Sequence, residues 1–124
     1  MTSSLFAIVL FPVIVTSYNA QKSQTDGDEC HGASGVNQCE LAVQGVPIIA
    51  LSQDLIGRAS WKPFHYGDWV TLESDNPLCS GQYFATDTMS PRFRNRADLF
   101  FLDKRNNVNC KGTLRLSLFS PMEL

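Results

Sequence analysis

Two aspartates in the second half of the chain have the residue types and surroundings for acid–base chemistry. Asp87 ends an apolar segment, and Asp98 directly precedes the apolar residues 99–101. A carboxyl group in apolar surroundings either finds a partner or keeps its proton, and one that keeps its proton near neutral pH can act as a general acid. Asp98 is therefore the candidate acid, and Asp87 the candidate second carboxyl group. The structural alternatives for Asp98 are an ion pair with Arg94 or Arg96, or capping of the turn after a strand. For Asp87 the alternative is backbone hydrogen bonding in a turn.

Short β-strands are the elements that must position these carboxyl groups. From residue 41 onward, short apolar runs alternate with Gly and Pro, and Leu114, Leu116 and Leu118 alternate with polar residues. The predicted strands are Leu41–Val43, Val46–Leu51, Asp68–Leu72, Gln82–Ala85, Ala97–Leu102 and Thr113–Phe119, and only Ser52–Gly57 and Asp98–Asn106 leave room for a helical turn. The pattern predicts a mainly β fold. A compact barrel is favoured because closure removes exposed strand edges, with a small sandwich as the alternative.

The N-terminal segment has the composition of a secretory signal peptide. Leu5 to Val15 is an apolar run interrupted by Pro12, too short to cross a membrane, and Ala20 or Ser17 offers a cleavage point. We therefore predict that residues 1–20 are removed, that residues 21–40 form a polar arm, and that residues 41–124 form the barrel domain. The mature protein is predicted to be secreted, extracellular and monomeric, with no membrane attachment after cleavage.

The cysteines indicate disulfide bonds. The chain has four of them, at Cys30, Cys39, Cys79 and Cys110. An even number in an exported chain predicts two disulfides rather than a metal site, and each would stabilise the fold by about 2–4 kcal/mol. The spacing leaves all three connectivities open.

Charge is distributed unevenly along the chain. The net charge is −2, with most acidic residues before residue 88. The basic residues of the second half are Arg92, Arg94, Arg96, Lys104, Arg105, Lys111 and Arg115. Such a group could meet uronate, phosphate or other anionic groups of a polymer, or form a solvated face. The net acidic charge argues against nucleic acid as a partner.

Four segments in order resemble a known family. They are Gly45-Val-Pro-Ile-Ile-Ala-Leu-Ser-Gln-Asp54, Tyr66-Gly67-Asp-Trp-Val-Thr-Leu72, Gly81-Gln-Tyr-Phe-Ala-Thr-Asp87-Thr88, and Arg94-Asn-Arg-Ala-Asp98-Leu-Phe-Phe101. Together they are similar to the three-aspartate (3D) domain of lytic transglycosylase A-type murein enzymes, which is related to the barrels of expansins and barwin-like proteins. The resemblance implies a small six-stranded, disulfide-stabilised double-psi β-barrel over most of the chain.

The resemblance also implies site residues. Asp54, Asp87 and Asp98 would be the three aspartates, with Asp98 as catalytic acid on a cell-wall polysaccharide of the peptidoglycan, chitin or cellulose type. The residues predicted to contact substrate are Asp54, Tyr83, Thr88, Arg96 and Trp61, the last because the neighbouring Lys62 and Pro63 favour its exposure. A lytic transglycosylase needs only one carboxyl group, whereas hydrolysis ordinarily needs two. No cofactor or metal is expected.

Two alternative functions stay open. Met89 and Arg94 stand where the family has glycines that let a ligand approach the backbone, which favours a non-catalytic, expansin-like or effector-type binding protein. A ribonuclease-like protein would use His65, Glu73 and Arg92, although the only other histidine, His31, lies upstream.

Overall fold

The protein is a closed barrel in the computed structural model, which describes residues 8–19, 30–102 and 107–121. Its elements are the strands β1 (Phe11–Asn19), β2 (Ile48–Leu51), β3 (Trp69–Ser74), β4 (Gly81–Thr88), β5 (Arg96–Phe101) and β6 (Cys110–Leu116), with the helix α1 (Gln38–Val43) between β1 and β2. The strand order around the barrel is β1-β5-β2-β4-β3-β6. β1 pairs with β5 and β2 with β4 in parallel, and the other pairs are antiparallel. The predicted mainly β, six-stranded barrel is confirmed.

Alternation along the strands builds the barrel interior. Val13 and Val15 of β1, Ile49 of β2 and Leu99 of β5 all point into one buried cluster, as expected for side chains with a period of two. The loop after β2 adds Leu55, Ile56 and Phe64 to the same cluster. This loop therefore plugs the end of the barrel at which β2 and β4 finish.

A second apolar cluster lies on the outer face of the barrel. Ile48 of β2 and Phe100 of β5 are in register with each other and nearly fully buried. Tyr18 of β1 and Leu41 of α1 pack against them. The helix thus covers the outer face of β5 and β2, and this face continues into the candidate site described below.

The segment predicted as a strand at Leu41–Val43 is helical, so that prediction was wrong. Asn37 caps the helix, because its Oδ1 accepts a hydrogen bond of 3.0 Å from the Glu40 backbone N–H. Gly45 follows the helix with a φ of +88°, a conformation that favours glycine. Asn37 and Glu40 favour the start of a helix, and Gly45 favours its end. These capping residues determine the structure of the segment more strongly than the three consecutive apolar residues 41–43, which alone suggested a strand.

Part of the predicted signal peptide is a barrel strand. β1 pairs with β5 from Ile14 to Asn19 and with β6 from Phe11 to Val15. Its apolar composition reflects burial inside the barrel, since Val13 and Val15 are 4% and 0% exposed. Residues 11–19 therefore do not lie outside the fold, and the barrel does not begin at residue 41. Removal of residues 1–20 stays a prediction, and cleavage there would take β1 out of the barrel. Residues 1–7 and 20–29, which include the first part of the predicted arm, lie outside the described part.

Two disulfides decide the connectivity that the sequence left open. Cys30 pairs with Cys39, which joins the loop before α1 to the helix, and Cys79 pairs with Cys110, which joins the turn before β4 to the start of β6. Two disulfides fit an oxidising environment. None of the helices that the structure describes has the length and apolarity needed to cross a membrane.

Of the two segments predicted to have room for a helical turn, one forms a turn and the other begins as a strand. At Ser52–Gly57 the backbone N–H groups of Leu55 and Ile56 both donate to the Ser52 carbonyl, so a turn forms. Residues 98–101 belong instead to β5, and residues 103–106 lie outside the described residues.

Candidate functional site

Four neighbouring strands bring both candidate carboxyl groups into one row on the outer face. Asp98 of β5 is in register with Thr16 of β1 on one side and with Ala50 of β2 on the other. Ala50 is also in register with Asp87 of β4, because the register shifts after Ile49. The backbones of Asp87 and Asp98 are therefore two strand spacings apart, roughly 10 Å. A single alanine separates the two aspartates.

Asp98 is partly buried and hydrogen-bonded to a hydroxyl group. Thr16 Oγ1 donates to Asp98 Oδ1, which fixes one carboxyl oxygen. Burial raises the pKa of Asp98, while the Thr16 hydrogen bond and the Arg96 charge oppose that rise. The ion pairs within residues 8–19, 30–102 and 107–121 do not include Asp98, so the structure does not show the alternative pairing with Arg94 or Arg96. The environment favours a protonated carboxyl group at higher pH than usual.

Asp87 is occupied by structural hydrogen bonds. Its Oδ1 accepts from the backbone N–H groups of Ala33 at 2.7 Å and Thr88 at 2.8 Å, and its Oδ2 accepts from Gln38 Nε2 at 3.5 Å. Gly32 packs so closely that a Cβ there would lie 2.7 Å from the Asp87 Cγ. Asp87 therefore anchors the loop before α1 to the end of β4, which agrees with the turn alternative and differs from a role as second catalytic carboxyl group.

A buried polar cluster of Tyr18, Gln38 and Thr86 lies beside Asp87. The Tyr18 hydroxyl donates to Gln38 Oε1 at 2.7 Å, and Thr86 Oγ1 donates to the same oxygen at 3.0 Å. Burial, followed by the negative charges of Asp87 and Asp98, raises the pKa of Tyr18 well above its usual value. Tyr18 is thus a neutral phenol.

Sequence reasoning missed Thr16, Tyr18 and Gln38 as site residues. Thr16 and Tyr18 belong to the segment interpreted as a signal peptide, and Gln38 to the segment interpreted as a polar arm. The sequence did indicate that Gln38 lies in an ordered segment, since it directly precedes the disulfide-bonded Cys39 and follows the helix cap Asn37. Nothing within β1 itself distinguishes its apolar residues from a leader peptide.

Two predicted substrate-binding residues are located elsewhere. Both carboxylate oxygens of Asp54 accept from the Asn95 backbone N–H, at 3.3 and 3.1 Å, and so hold a residue with a φ of +53° at the start of β5. Tyr83 points into the barrel interior because it has the inward parity of β4, and its hydroxyl donates to the Cys79 carbonyl at 2.8 Å. Asp54 therefore shapes the loop before β5, and Tyr83 is a core residue.

The other three residues predicted to contact substrate lie near the row, at the end of the barrel where β2 and β4 finish. Thr88 Oγ1 donates to the Leu51 carbonyl at 3.0 Å and ties the end of β4 to β2. Arg96 precedes Asp98 by two residues on β5, so both side chains project from the same face. Trp61 lies in the loop after β2 and is 75% exposed, with Lys62 Nζ 4.6 Å from its ring centre.

The residues of the ribonuclease alternative are not assembled. His65 Nε2 lies 2.9 Å from the Ala59 carbonyl oxygen, and Glu73 pairs with Arg115 at 3.5 Å near the opposite end of β3. Across the described ranges, no group of three or more His, Cys, Asp or Glu side chains is arranged to hold a metal ion.

Comparison of the chain with protein-family models, with curated proteins and with solved structures finds no match. Its function must therefore be argued from the geometry of the row and its surroundings.

Proposed function

We propose that this protein binds a cell-wall polysaccharide and cleaves its glycosidic bonds in the manner of a lytic transglycosylase, with Asp98 as the acid and base. One observation carries the proposal. Asp98 is a partly buried carboxyl group with a raised pKa, hydrogen-bonded through one oxygen to Thr16. General acids of glycosidic cleavage need this kind of environment near neutral pH.

The proposed reaction uses one carboxyl group twice. Protonated Asp98 gives its proton to the glycosidic oxygen as the bond to the anomeric carbon breaks. The resulting carboxylate then takes the proton from a hydroxyl group of the same sugar, and that oxygen bonds to the anomeric carbon to close an anhydro ring. Because Thr16 occupies Oδ1, Oδ2 is the oxygen available for both transfers.

The position of Asp87 favours this one-carboxyl route over hydrolysis. Its hydrogen bonds to Ala33, Thr88 and Gln38 hold the loop and the helix, so it has no freedom to activate water. Hydrolysis would require a second free carboxylate placed for water or covalent attack. Trp61, exposed at the same end of the barrel, offers a flat apolar surface for a sugar ring.

The test is incubation of the purified protein with peptidoglycan, chitin and cellulose, followed by mass spectrometry of the soluble products. We expect anhydro-sugar products from one polymer, reduced about 100-fold or more in Asp98→Asn, the loss expected when a general acid is removed. Asp75→Asn, at an exposed position on the β3–β4 connection, is the matched control and should retain activity. Products from Asp98→Asn at the rate of the unmodified protein would exclude the catalytic role.

A non-catalytic binding protein is the second candidate. The loop 89–95 carries bulky side chains, and Arg92 lies with its guanidinium 4.7 Å from the Phe93 ring centre, beside the start of β5. In this loop Met89 and Arg94 stand where the three-aspartate family has glycines that let a ligand approach the backbone. Polymer binding in a pull-down without any soluble product would favour this candidate, and absence of both would exclude the polysaccharide function.

A further inference from the structure

Two arginines are held against one aromatic ring next to Asp98. The guanidinium carbons of Arg92 and Arg96 lie 4.7 and 5.0 Å from the centre of the Phe93 ring. Cation–π contacts of this length hold each guanidinium near the ring. The backbone around them is held as well, since Arg96 N–H donates to Ser52 Oγ and Asn95 N–H donates to Asp54. The cations therefore have a defined place at the start of β5.

Among the residues that the structure describes, no carboxylate forms an ion pair with Arg96. Arg96 and Asp98 project from the same face about 7 Å apart along β5, close enough for an electrostatic effect on Asp98 without an ion pair. Within the described part of the chain, the Arg96 Nε is buried and has no hydrogen-bond acceptor. A guanidinium that is oriented and partly desolvated can form strong hydrogen bonds to an incoming anion.

We infer that Arg96, supported by Arg92, forms a subsite for a carboxylate group carried by the sugar next to the scissile bond. This inference rests on the proposed function, because it assumes that a glycan occupies the row at Asp98. A planar carboxylate matches the fork of N–H donors on a guanidinium. The carboxylate could belong to a uronic acid or to a lactyl ether substituent, and in either case the subsite selects an acidic glycan over its neutral counterpart.

The experiment measures binding by calorimetry on the full chain with Asp98→Asn, in which turnover is suppressed about 100-fold or more. This background also removes any effect of Arg96 on the titration of Asp98. The probes are two matched pairs: oligogalacturonate against its methyl ester, and glycan strands containing N-acetylmuramic acid against chitin oligosaccharides of the same length. We expect the acidic member of at least one pair to bind about tenfold more tightly or better, and the pair that shows the difference identifies the source of the carboxylate.

Arginine variants in the same background locate the subsite. Arg96→Gln should abolish the difference within the pair, and Arg96→Lys should retain only part of it, because lysine keeps the charge without the fork. Arg94→Gln is the control for net charge, since Arg94 lies between the two stacked arginines in sequence, and it should retain the difference. Melting curves of each variant verify that the fold is intact.

The outcomes separate the two proposals. Equal binding of the acidic and neutral members, or a preference that survives Arg96→Gln, would overturn the subsite and leave the proposed polysaccharide binding in place. Failure of every probe to bind would overturn both.

Discussion

Asp98 is subject to opposing influences that act on a single carboxyl group. Burial disfavours its charged form, whereas the Thr16 hydroxyl and the Arg96 cation favour that form. The Thr16 contribution can be removed with almost no change in shape, because valine has nearly the volume of threonine. Thr16 and Asp98 thus allow the pKa of the proposed acid to be changed on its own.

Thr16→Val should raise the pKa of Asp98 further, since a hydrogen bond that stabilises the carboxylate is lost. An acid must be protonated to act, so the fall in activity with rising pH should move to higher pH. Carboxyl-carbon NMR titration of Asp98 measures the same shift without any substrate. Thr71→Val, which affects a hydroxyl bonded to Ser117 on the other side of the barrel, is the control; an unchanged Asp98 titration in Thr16→Val would contradict the assigned hydrogen bond.

Asp98→Asn should make the fold more stable at neutral pH. The pKa of Asp98 is raised above 3.8 in the fold, so the folded state binds the proton more tightly than the unfolded state. This contribution to stability is complete below pH 3.8 and is lost as the pH rises through the folded pKa. Thermal melting should therefore show Asp98→Asn a few degrees above the unmodified protein at pH 7, with the difference vanishing near pH 3.5. A variant less stable than the unmodified protein at pH 7 would contradict a raised pKa of Asp98 in the fold.

At the scale of elements, the loop before α1 depends on one very close approach. A Cβ at Gly32 would lie 2.7 Å from the Asp87 Cγ and 2.8 Å from its Cβ. The same loop is held from its other side by Arg58, whose Nη2 donates to the Ala33 carbonyl at 3.0 Å. The loop is thus clamped between β4 and the loop that follows β2.

Gly32→Ala should displace this loop and with it Gln38, because a methyl group has no room against Asp87. The expected cost is about 1–3 kcal/mol of unfolding free energy, measured by urea denaturation, together with a loss of any polymer cleavage. Ala33→Ser, an exposed neighbour whose backbone N–H still reaches Asp87, should change neither. Wild-type stability of Gly32→Ala would mean that the loop moves freely away from β4.

Strand β1 gives a second prediction at this scale. A chain lacking residues 1–20 has no partner for the free edges of β5 and β6, and loses Val13 and Val15 from the core. We expect it to lack near-UV circular dichroism and dispersed NMR spectra, whereas a chain lacking residues 1–7 should keep both. A folded barrel without residues 1–20 would instead support removal of the whole predicted signal peptide.

Sequence reasoning succeeded where local pattern and burial agree. Alternation around Val70 and Leu114, and the short apolar runs that include Ala85 and Leu99, predict strands that the structure contains. A closed barrel is predicted because short strands would otherwise leave exposed edges. It did not predict β1 as a strand, because an apolar strand buried in a barrel has the same composition as a leader peptide. The row itself could not be predicted, since Thr16 and Asp98 meet only through pairing of strands 82 residues apart.

For the molecule as a whole, the disulfides are distributed between site and barrel. Cys30–Cys39 spans 9 residues and joins the loop before α1 to the helix, whereas Cys79–Cys110 spans 31 residues and has its Cys79 end in the core. The first is therefore expected to affect the geometry around Gln38, and the second the stability of the barrel. Cys30–Cys39 thus fixes the loop and helix next to Asp87, and Cys79–Cys110 stabilises the strands on which the row lies.

Barrel closure by β1 also sets an order of events in time. Among the described strands, β1 is made first, and its partners β5 and β6 are made last, so β1 stays without these partners until both have been synthesised. Pairing across such long sequence distances is slow, because much chain entropy is lost before the contacts form. Since Thr16 and Tyr18 belong to β1, the carboxyl row is completed only in the closing step of folding, and a nascent chain that does not yet include β5 cannot contain it.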